Sequence, residues 1–332
     1  IDMRYIRQEI YQEIGKKGQQ KLRKSTIAIV GLGALGSVSA ELLVRAGVGK
    51  LILVDRDIVE LSNLQRQNLF NENDVGKPKA AKSKGHLSKI NSQVEINFFI
   101  DDLNFKNIEE IFGFKNKKIN LILDCTDNLE TRFLLNDFCV KNQIPFVYSS
   151  AVGSKGYVFN IIPKITPCLR CFLKEATEID TCETSGILNT ITNLISSLQV
   201  NEAIKILLKK DNFETKLLFF DIWKNELLKI KINKDKNCVC CANAVFEYLM
   251  GKKSSPLVKL CGDGFFQIRG KTINKIQFHD LKTKLKKLGK IVDFAYCINF
   301  GCKITIFQDG RALIKAKDEK TAKSLYSKFV GN

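Results

Sequence analysis

The sequence STIAIVGLGALG, residues 25–36, decides the fold of this chain. Its first half, STIAIV, is short and apolar, which is typical of a buried parallel strand. Glycines follow at positions 31, 33 and 36, and residues 34–47, ALGSVSAELLVRAG, continue as a helix. In such a turn Gly31 permits the tight bend, Gly33 lets the backbone approach a ligand, and Gly36 lets helix and strand pack closely. The stretch therefore predicts a strand–turn–helix unit whose helix N-terminus attracts phosphate.

The same alternation of strand and helix continues to about residue 153. Strands are predicted for KLILVD (50–55), VEINFFI (94–100), INLILDC (119–125) and PFVYSSAV (145–152). Helices are predicted between them for KPKAAKSKGHLSKI (77–90), FKNIEEIF (105–112) and LETRFLLNDFCVKN (129–142). This pattern predicts an α/β fold with a doubly wound, Rossmann-like and mostly parallel sheet. One amphipathic helix is predicted to precede it, over about residues 5–24.

The pattern changes after about residue 153. Three further strands are predicted: GYVFNII (156–162), KLLFFDIW (216–223) and ELLKIKI (226–232). No crossover helix separates the second of them from the third. We therefore expect antiparallel strands that continue the sheet, with one long helix in residues 186–210. A Gly/Lys/Ser/Pro linker at residues 251–257 would separate an adenylation domain, residues 1–250, from a small α+β domain, residues 258–332. The small domain would hold a basic helix, a hairpin turning at Asp309–Gly310 and a final amphipathic helix.

Composition limits the class of protein. The formal net charge is +18, and lysines are spread along the whole chain, which is more typical of a solvated surface than of one binding patch. Nucleic acid is not expected as a partner, because no recognition motif accompanies the charge. No run of 18 apolar residues and no signal peptide is present, so we expect neither a membrane span nor secretion. Eleven cysteines, an odd number, favour a reducing, cytoplasmic location.

The sequence VDRDIVELSNLQRQ, residues 54–67, distinguishes between nucleotides. Asp55 stands where an acid usually holds a nucleotide ribose, about twenty residues after the glycine turn. A dinucleotide needs nothing more here, whereas ATP used at its α-phosphate needs rigid cations that neutralise its charge. Arg66 offers a planar guanidinium for phosphate oxygens, and Lys79 adds a compact charge. Asp127, which could also cap the following helix, is placed at a strand end for a divalent metal.

Together these segments closely resemble the ThiF/MoeB/HesA adenylyltransferases, relatives of the ubiquitin-activating enzymes, and most of all the thiamin-type members. The resemblance covers about residues 3–250 and rests on GLGALGS, LVDRDIVELSNLQRQ, VGKPKA and DCTDNLETR. It implies an enzyme that uses ATP to convert the C-terminal Gly-Gly carboxylate of a small ubiquitin-like sulfur carrier into an acyl-adenylate. The carrier, of ThiS or MoaD type, would then receive sulfur from another protein for thiamin or molybdopterin synthesis.

The resemblance also assigns site residues. Asp55 would bind the ribose, and Asn63, Arg66 and Lys79 would contact phosphates. Asp127 would hold Mg²⁺, and Arg7 would reach the site of a partner subunit, which implies a homodimer. The full nucleotide-binding set is Gly31, Gly33, Gly36, Asp55, Asp57, Asn63, Arg66, Gln67, Lys79 and Asp127. A carboxylate nucleophile is ionised at neutral pH and needs no general base, so His86 and His279 are expected to be surface residues.

Two CxxC pairs predict a metal site. Cys168 and Cys171 form one pair, and Cys238 and Cys241 form the other. Four thiolates at this spacing are typical of a structural, tetrahedral Zn²⁺ site, as in the family. Cys240 is expected to point elsewhere.

Cys182 stands in a polar loop before the long helix, a position that can activate a thiol. In the family a cysteine of this loop forms an acyl-disulfide with the carrier or, in ubiquitin-activating relatives, a thioester. A loop cysteine without a role is the alternative. The remaining cysteines, Cys125, Cys139, Cys261, Cys297 and Cys302, are expected to be structural.

Three other functions remain open from the sequence. A threonylcarbamoyl-tRNA dehydratase shares the superfamily and would suit the basic charge, but zinc is not expected there. A member that activates a ubiquitin-like protein modifier shares the adenylation chemistry. An NAD oxidoreductase would leave Arg66, Lys79 and Asp127 together without explanation. The small C-terminal domain lacks the cysteine loop of a rhodanese, so it is not expected to supply the sulfur.

Overall fold

The structure, a computed structural model, describes residues 3–113, 118–173, 186–253, 257–259, 264–269, 275–294, 296–301 and 303–331. The chain divides into two compact units. The larger comprises Ile1–Val75 and Lys79–Ser254, and the smaller comprises Gly76–Pro78 and Ser255–Asn332. Each unit contains its own β-sheet.

The larger unit is built on an eight-stranded sheet of order β3-β2-β1-β4-β5-β6-β7-β8. Its first five strands are parallel: β1 (Thr26–Val30), β2 (Lys50–Val54), β3 (Glu95–Phe99), β4 (Leu121–Asp124) and β5 (Phe146–Val152). Strand β1 pairs with both β2 and β4, so the direction of winding reverses beside it. Ligands of such sheets bind outside the carboxyl ends of the strands at this reversal.

Three antiparallel strands extend the sheet beyond β5. They are β6 (Lys155–Ile161), β7 (Leu217–Asp221) and β8 (Glu226–Ile230). Strands β5 and β6 pair along seven residues each, with Phe146 opposite Ile161. The predicted fold class, a doubly wound parallel sheet continued by antiparallel strands, is thereby confirmed for this unit.

Helices cover both faces of the large sheet. They are α1 (Ile6–Ile10), α2 (Gly15–Arg23), α3 (Ala34–Ala46), α4 (Lys79–Ile90), α5 (Ile108–Gly113), α6 (Leu129–Asn142) and α7 (Asn189–Leu208). The single helix predicted for residues 5–24 is wrong. The chain leaves the helical conformation at Tyr11 and restarts at Gly15, whose φ of +61° lies in the left-handed region that favours glycine.

The core consists of two apolar layers, one on each face of the sheet. Along β1, Ile27 and Ile29 point into one layer, and Ala28 and Val30 point into the other. This alternation is the period of a strand that is buried on both faces. The first layer includes residues of α3, α4 and α7, and the second includes residues of α5 and α6.

The smaller unit is an antiparallel sheet with helices. Its six strands, in the order β11-β12-β13-β14-β10-β9, are β9 (Leu257–Lys259), β10 (Phe265–Ile268), β11 (Ile291–Phe294), β12 (Cys297–Phe300), β13 (Ile304–Phe307) and β14 (Ala312–Lys315). Its helices are α8 (Lys275–Leu288) and α9 (Glu319–Phe329). Phe278, Leu285 and Tyr326 of the helices pack with Ile298 and Ile306 of the sheet. The predicted hairpin at Asp309–Gly310 joins β13 to β14, whereas β11 and β12 were not predicted.

Among the described residues, no helix is both long enough and apolar enough to cross a membrane.

Candidate functional site

The glycine turn brings two strand ends into close contact. Gly31 has a φ of +86°, and a Cβ atom added to it would lie 2.5 Å from the carbonyl oxygen of Cys125, at the end of β4. A Cβ atom on Gly36 would lie 1.8 Å from the carbonyl oxygen of Gly31. Only glycine fits either position. Gly33 is the N-cap of α3 and provides no side-chain cap, so the first amides of this helix are left for a ligand or water.

Asp55 lies directly after β2 and beside this turn. Its Oδ2 atom accepts a 2.5 Å hydrogen bond from the amide of Leu32, and its Oδ1 atom accepts a 2.7 Å bond from the amide of Asp57. The residue is buried. Burial raises the pKa of Asp55 to about 6, although the charge of Lys79 and the two amide donors oppose the rise.

The loop after Asp55 carries the next three predicted residues. Asn63 ends a short 3₁₀ helix, Leu61–Asn63, and its Oδ1 atom accepts a bond from the amide of Glu60. Arg66 is partly exposed and donates from Nη1 to the carbonyl of Ser62, at 2.9 Å. Gln67 is buried, and its Oε1 atom has no hydrogen-bond partner among the described residues. Its Nε2 atom lies 3.7 Å from where a Cβ atom of Gly33 would stand, so the side chain borders the glycine turn.

Lys79 is the first residue of α4 and is buried. Its Nζ atom lies 3.5 Å from Oδ2 of Asp57, and its amide donates to the carbonyl of the same residue at 3.0 Å. Burial disfavours the charged form, but nearby carboxylates, Asp57 first, outweigh it and raise the pKa of Lys79. The ammonium group is therefore charged at neutral pH and fixed next to the loop.

Asp127 follows β4, and its side chain is about half exposed, at 54%. It does not cap α6, because the side chain of Asn128 accepts the capping bond from the amide of Thr131 at 2.9 Å. The carboxylate of Asp127 is thus left for other partners. An oxygen of a half-exposed carboxylate at a strand end can ligate a divalent cation whose remaining ligands come from phosphates and water.

Arg56 was not predicted as a site residue. Its side chain is only 11% exposed and lies among three carboxylates. Nη1 donates to Oδ1 of Asp102 at 3.0 Å, Nε lies 3.8 Å from Asp57, and Nη2 lies 4.0 Å from Asp127. Burial disfavours its charge, but the carboxylates, Asp102 first, raise its pKa further above the ordinary value. One feature of the sequence could have indicated it: an arginine between two acids, in a chain with only ten arginines.

Arg7 lies apart from these residues. Its helix, α1, and the 3₁₀ turn before it, Met3–Tyr5, contact the C-terminal ends of α3 and α4. Gln8 donates to the carbonyl of Ala46 and Arg4 donates to that of Ile90, both at 2.9 Å. The glycine turn and Lys79 lie at the N-terminal ends of the same two helices, α3 and α4. Helix α3 has 13 residues and is therefore about 20 Å long. The exposed side chain of Arg7 and the nucleotide-binding candidates of the same chain thus stand at opposite ends of α3.

The four predicted zinc ligands come together. The Sγ atoms of Cys168, Cys171, Cys238 and Cys241 all lie within 4.8 Å of one another. The closest pairs are 3.5, 3.6 and 3.9 Å apart. A tetrahedral Zn²⁺ ion with Zn–S bonds of about 2.3 Å requires S–S separations of about 3.8 Å. The four thiols therefore fit a Zn²⁺ site with no position left for a further ligand.

Helix α6 supports this cluster through residues that the sequence did not single out. Asn136 accepts a 2.8 Å bond from the amide of Leu169 and donates to the Sγ atom of Cys240 at 3.2 Å. Asp137 accepts a 2.9 Å bond from the amide of Tyr248. Cys240 is fully buried and lies outside the four-thiol group, as predicted.

The remaining residues considered in the sequence are the other cysteines and the two histidines. Cys182 lies outside the described residues. His279 is exposed on α8, but His86 is partly buried, and its Nε2 atom lies 2.7 Å from the carboxylate of Asp74. Cys125, Cys139 and Cys297 are buried. Cys261 and Cys302 also lie outside the described residues.

The cations and the polar turn define what this site can do. The amides at the start of α3, Lys79 and the partly exposed Arg66 provide positive charge for phosphates, and Asp127 provides a carboxylate for a divalent cation. Of the two histidines in the chain, His86 is already paired with an acid. The arrangement suits a reaction that needs charge neutralisation and positioning rather than proton abstraction.

Comparisons with known proteins agree with this geometry. The model of the ThiF family matches residues 5–241. The chain is 40% identical to the sulfur carrier protein ThiS adenylyltransferase of Bacillus subtilis, over 99% of both chains. It is 34% identical to the protein of the same name from Escherichia coli, over 73% of this chain and 96% of the relative.

Solved structures show a similar fold. A crystal structure of E. coli MccB with MccA-N7isoASN superposes with a TM-score of 0.64 over 73% of this chain and 75% of the other. The sequence identity is 22%, so this likeness concerns the fold alone.

Proposed function

The chain belongs to the ThiF family, and from this membership we propose that it adenylates a small ubiquitin-like sulfur-carrier protein with ATP. The observation that carries the proposal is the 40% identity over 99% of both chains to a sulfur carrier protein ThiS adenylyltransferase. The carrier would be of ThiS or MoaD type, and the product would serve thiamin or molybdopterin synthesis. We assign adenylation to residues 1–250, with residues 251–257 as a linker and 258–332 as a separate unit.

The proposed reaction is a displacement at the α-phosphate of ATP. A carboxylate oxygen of the carrier's C-terminal glycine forms a bond to phosphorus, the bond to the bridging oxygen breaks, and pyrophosphate leaves with that electron pair. No proton is removed from the nucleophile, because a C-terminal carboxylate is already ionised at neutral pH. The protein has to hold two anions together and neutralise their charge in the transition state.

The described residues divide this work among them. Asp55 would accept hydrogen bonds from ribose hydroxyls, and the start of α3 would receive phosphate oxygens. Asn63, Arg66 and Lys79 would contact the phosphates as they gain charge. Asp57 holds Lys79 through its 3.5 Å ion pair, and the unpartnered Oε1 atom of Gln67 offers an acceptor beside the glycine turn.

Asp127 would hold Mg²⁺. Its carboxylate is half exposed and does not cap α6, so it fits the usual magnesium site of one protein carboxylate, substrate phosphates and water. The ion would supply positive charge to the phosphates. The proposal for Zn²⁺ is different: four thiolates fill its coordination, so Cys168, Cys171, Cys238 and Cys241 would hold it as a structural ion.

A homodimer would complete the site. The exposed Arg7 and the nucleotide-binding candidates of its own chain stand at opposite ends of α3, about 20 Å apart. If Arg7 contacts ATP, as the family resemblance implies, it does so in a second copy of the chain. We therefore propose two sites per dimer, each receiving Arg7 of the partner subunit.

Cys182 would act after adenylation. We propose that a persulfide of another protein transfers its outer sulfur to the thiol of Cys182. The Cys182 persulfide then attacks the carrier's acyl-adenylate, AMP leaves, and an acyl-disulfide joins Cys182 to the carrier. A further thiol attacks the Cys182 sulfur and releases the carrier's thiocarboxylate, with a disulfide left on the protein. Adenylation itself needs no thiol, so the two steps are separable.

The test is exchange of labelled pyrophosphate into ATP. Exchange is expected with a carrier that ends in Gly-Gly and not with the same carrier lacking its last two residues. Bulk tRNA replaces the carrier in a parallel reaction. Exchange that is independent of the carrier's tail, or AMP formation driven by tRNA, would contradict the proposal.

A further inference from the structure

We propose that Arg56 is a positioning residue that competes with a divalent cation for the carboxylate of Asp127. This inference rests on the proposed function, because it takes Asp127 as the magnesium ligand. Arg56 is not among the residues that the family resemblance assigned to the site. What singles it out is its position in the structure, where it lies among acids that follow β3, β2 and β4, three parallel strands of one sheet.

The guanidinium of Arg56 is much closer to one of these three carboxylates than to the other two. Its shortest contact is the 3.0 Å bond to Asp102, which follows β3 and is almost fully buried. This pair holds the arginine in place, because a buried charge that loses its partner is strongly unfavourable. The remaining donors then face Asp57, after β2, and Asp127, after β4. Arg56 therefore acts as a fixed cation to which the two other carboxylates are drawn.

The three carboxylates differ in how closely they contact Arg56 and in how exposed they are. Asp102 is bonded to it directly, and Asp57 is shared with Lys79. Asp127 is the most exposed of the three, at 54%, and the most distant, at 4.0 Å. It is thus the carboxylate that can most easily exchange a guanidinium for a metal ion. An ion pair with one half-exposed partner is weak, so replacing Arg56 by a metal ion at Asp127 costs little free energy.

The local charge supports a competition. Arg56 and Lys79 face Asp55, Asp57, Asp102, Asp127 and Glu60. The cluster has more negative than positive groups, and Arg56 reduces this excess close to Asp127. Removing Arg56 would strengthen the attraction of a divalent cation to Asp127. Removing the negative charge of Asp102 instead would strengthen the attraction between Arg56 and Asp127 and would weaken the attraction of the cation to Asp127.

Two variants with opposite expected effects test the inference. The dissociation constant of Mn²⁺ is measured by electron paramagnetic resonance, on protein in excess over a non-hydrolysable ATP analogue. We expect Arg56→Met to lower this constant about fivefold and Asp102→Asn to raise it by a similar factor, a size typical of an ion pair with one exposed partner. Asp127→Asn is the control, since the Arg56→Met effect should vanish in its presence.

A third variant keeps the inference testable if a single variant does not fold. Arg56→Met alone could be insoluble because the buried Asp102 loses its 3.0 Å bond to the guanidinium. In that case Arg56→Met/Asp102→Asn removes the buried pair as a unit and is expected to bind Mn²⁺ more tightly than the wild-type protein. Equal Mn²⁺ constants in the wild-type protein, the double variant and Asp102→Asn would overturn the inference. Pyrophosphate exchange in the wild-type protein is measured separately. Its absence would overturn the proposed function, whereas normal exchange with unchanged Mn²⁺ constants would overturn only the role of Arg56.

Discussion

The carboxylate of Asp55 and the amide of Leu32 are joined by a hydrogen bond of 2.5 Å, although the two residues belong to different strand–helix units. The acid proposed to hold the ribose is therefore attached to the turn proposed to hold the phosphates. Any change in the charge of Asp55 acts on both parts of the nucleotide site.

Asp55 predicts a pH dependence of nucleoside binding. Its pKa is raised from 3.8 to about 6 in the free protein, so the carboxylate loses its charge well above the usual range. We expect adenosine, which does not titrate near pH 6, to bind about tenfold more weakly at pH 5 than at pH 8, because the protonated acid accepts ribose hydrogen bonds poorly. Titration followed by NMR measures the constant, and Asp55→Asn should abolish its pH dependence. A flat wild-type profile would contradict the prediction.

The raised pKa of Asp55 also predicts that the free energy of unfolding falls as the pH rises. Between about pH 4 and 6, the folded chain keeps the Asp55 proton and the unfolded chain has lost it. The contribution of Asp55 to the free energy of unfolding is therefore present below pH 4 and is lost as the pH rises through 6. Asp55→Asn, which is neutral throughout, should show a smaller loss over this interval in denaturant titrations.

Gly36 predicts a steric effect with a matched control. A methyl group at Gly36 would meet the carbonyl oxygen of Gly31 at 1.8 Å, whereas one at Gly85, in α4, would meet nothing within 4 Å. We expect Gly36→Ala to lower the free energy of unfolding by about 3 kcal/mol or more and to abolish ATP binding. Gly85→Ala should raise stability by up to about 1 kcal/mol, since alanine favours the helix. Equal stabilities in urea unfolding would show that the turn tolerates a side chain.

The thiol cluster predicts one Zn²⁺ per chain. Cys171→Ser should remove the metal and lower the unfolding temperature, because metal binding and folding are coupled. Cys240→Ser is the matched control, since Cys240 is buried close by but lies outside the four thiols. It should retain the metal. Metal analysis and calorimetry measure both effects, and a folded wild-type protein without zinc would refute the assignment.

Arg7 and Arg66 predict complementation between subunits. Each alanine variant alone should lose pyrophosphate exchange, by about 10²-fold or more, because each removes a charge used in the transition state. After equal mixing and subunit exchange, half of the dimers combine the two variants, and each of these has one intact site. About a quarter of wild-type activity should return. An active monomer, or no recovery in confirmed heterodimers, would argue against a shared site.

Cys182 predicts a separation of the two chemical steps. Cys182→Ser should leave pyrophosphate exchange nearly unchanged, because no contact to ATP is assigned to this residue. Transfer of sulfur to the carrier should fall, and the reducible adduct that forms between this chain and the carrier in the presence of ATP and a persulfide donor should disappear from the mass spectrum. Sulfuration at the wild-type rate would make Cys182 a bystander.

The features that could be predicted from the sequence are those that depend on local periodicity or on short motifs with fixed spacing. Helix α6 has the predicted bounds, and the four thiols meet as their spacing indicated. The break between α1 and α2 was missed because apolar residues keep their helical spacing across it. The backbone angles of Tyr11 and Gly15 reveal it. Strands β11 and β12 have four residues each and are partly exposed, so their pattern is weak.

Arg56 was missed for a different reason. Its partners Asp102 and Asp127 are distant in sequence and become neighbours only because parallel strands end at the same edge of the sheet. Such a contact leaves no periodic trace along the chain. The same holds for Asn136 and Asp137, which accept bonds from the amides of Leu169 and Tyr248 and belong to a helix that otherwise packs in the core.

The thiol cluster also imposes an order on protein synthesis. Cys168 and Cys171 follow β6, but their two partners follow β8, so the ribosome must make α7, β7 and β8 before the four thiols can meet. At ordinary translation rates this interval lasts several seconds. During it the free edge of β6 and two thiols remain without their final neighbours. At this stage the nascent chain therefore presents an unpaired strand edge and two unligated thiols, which are sites for aggregation and oxidation.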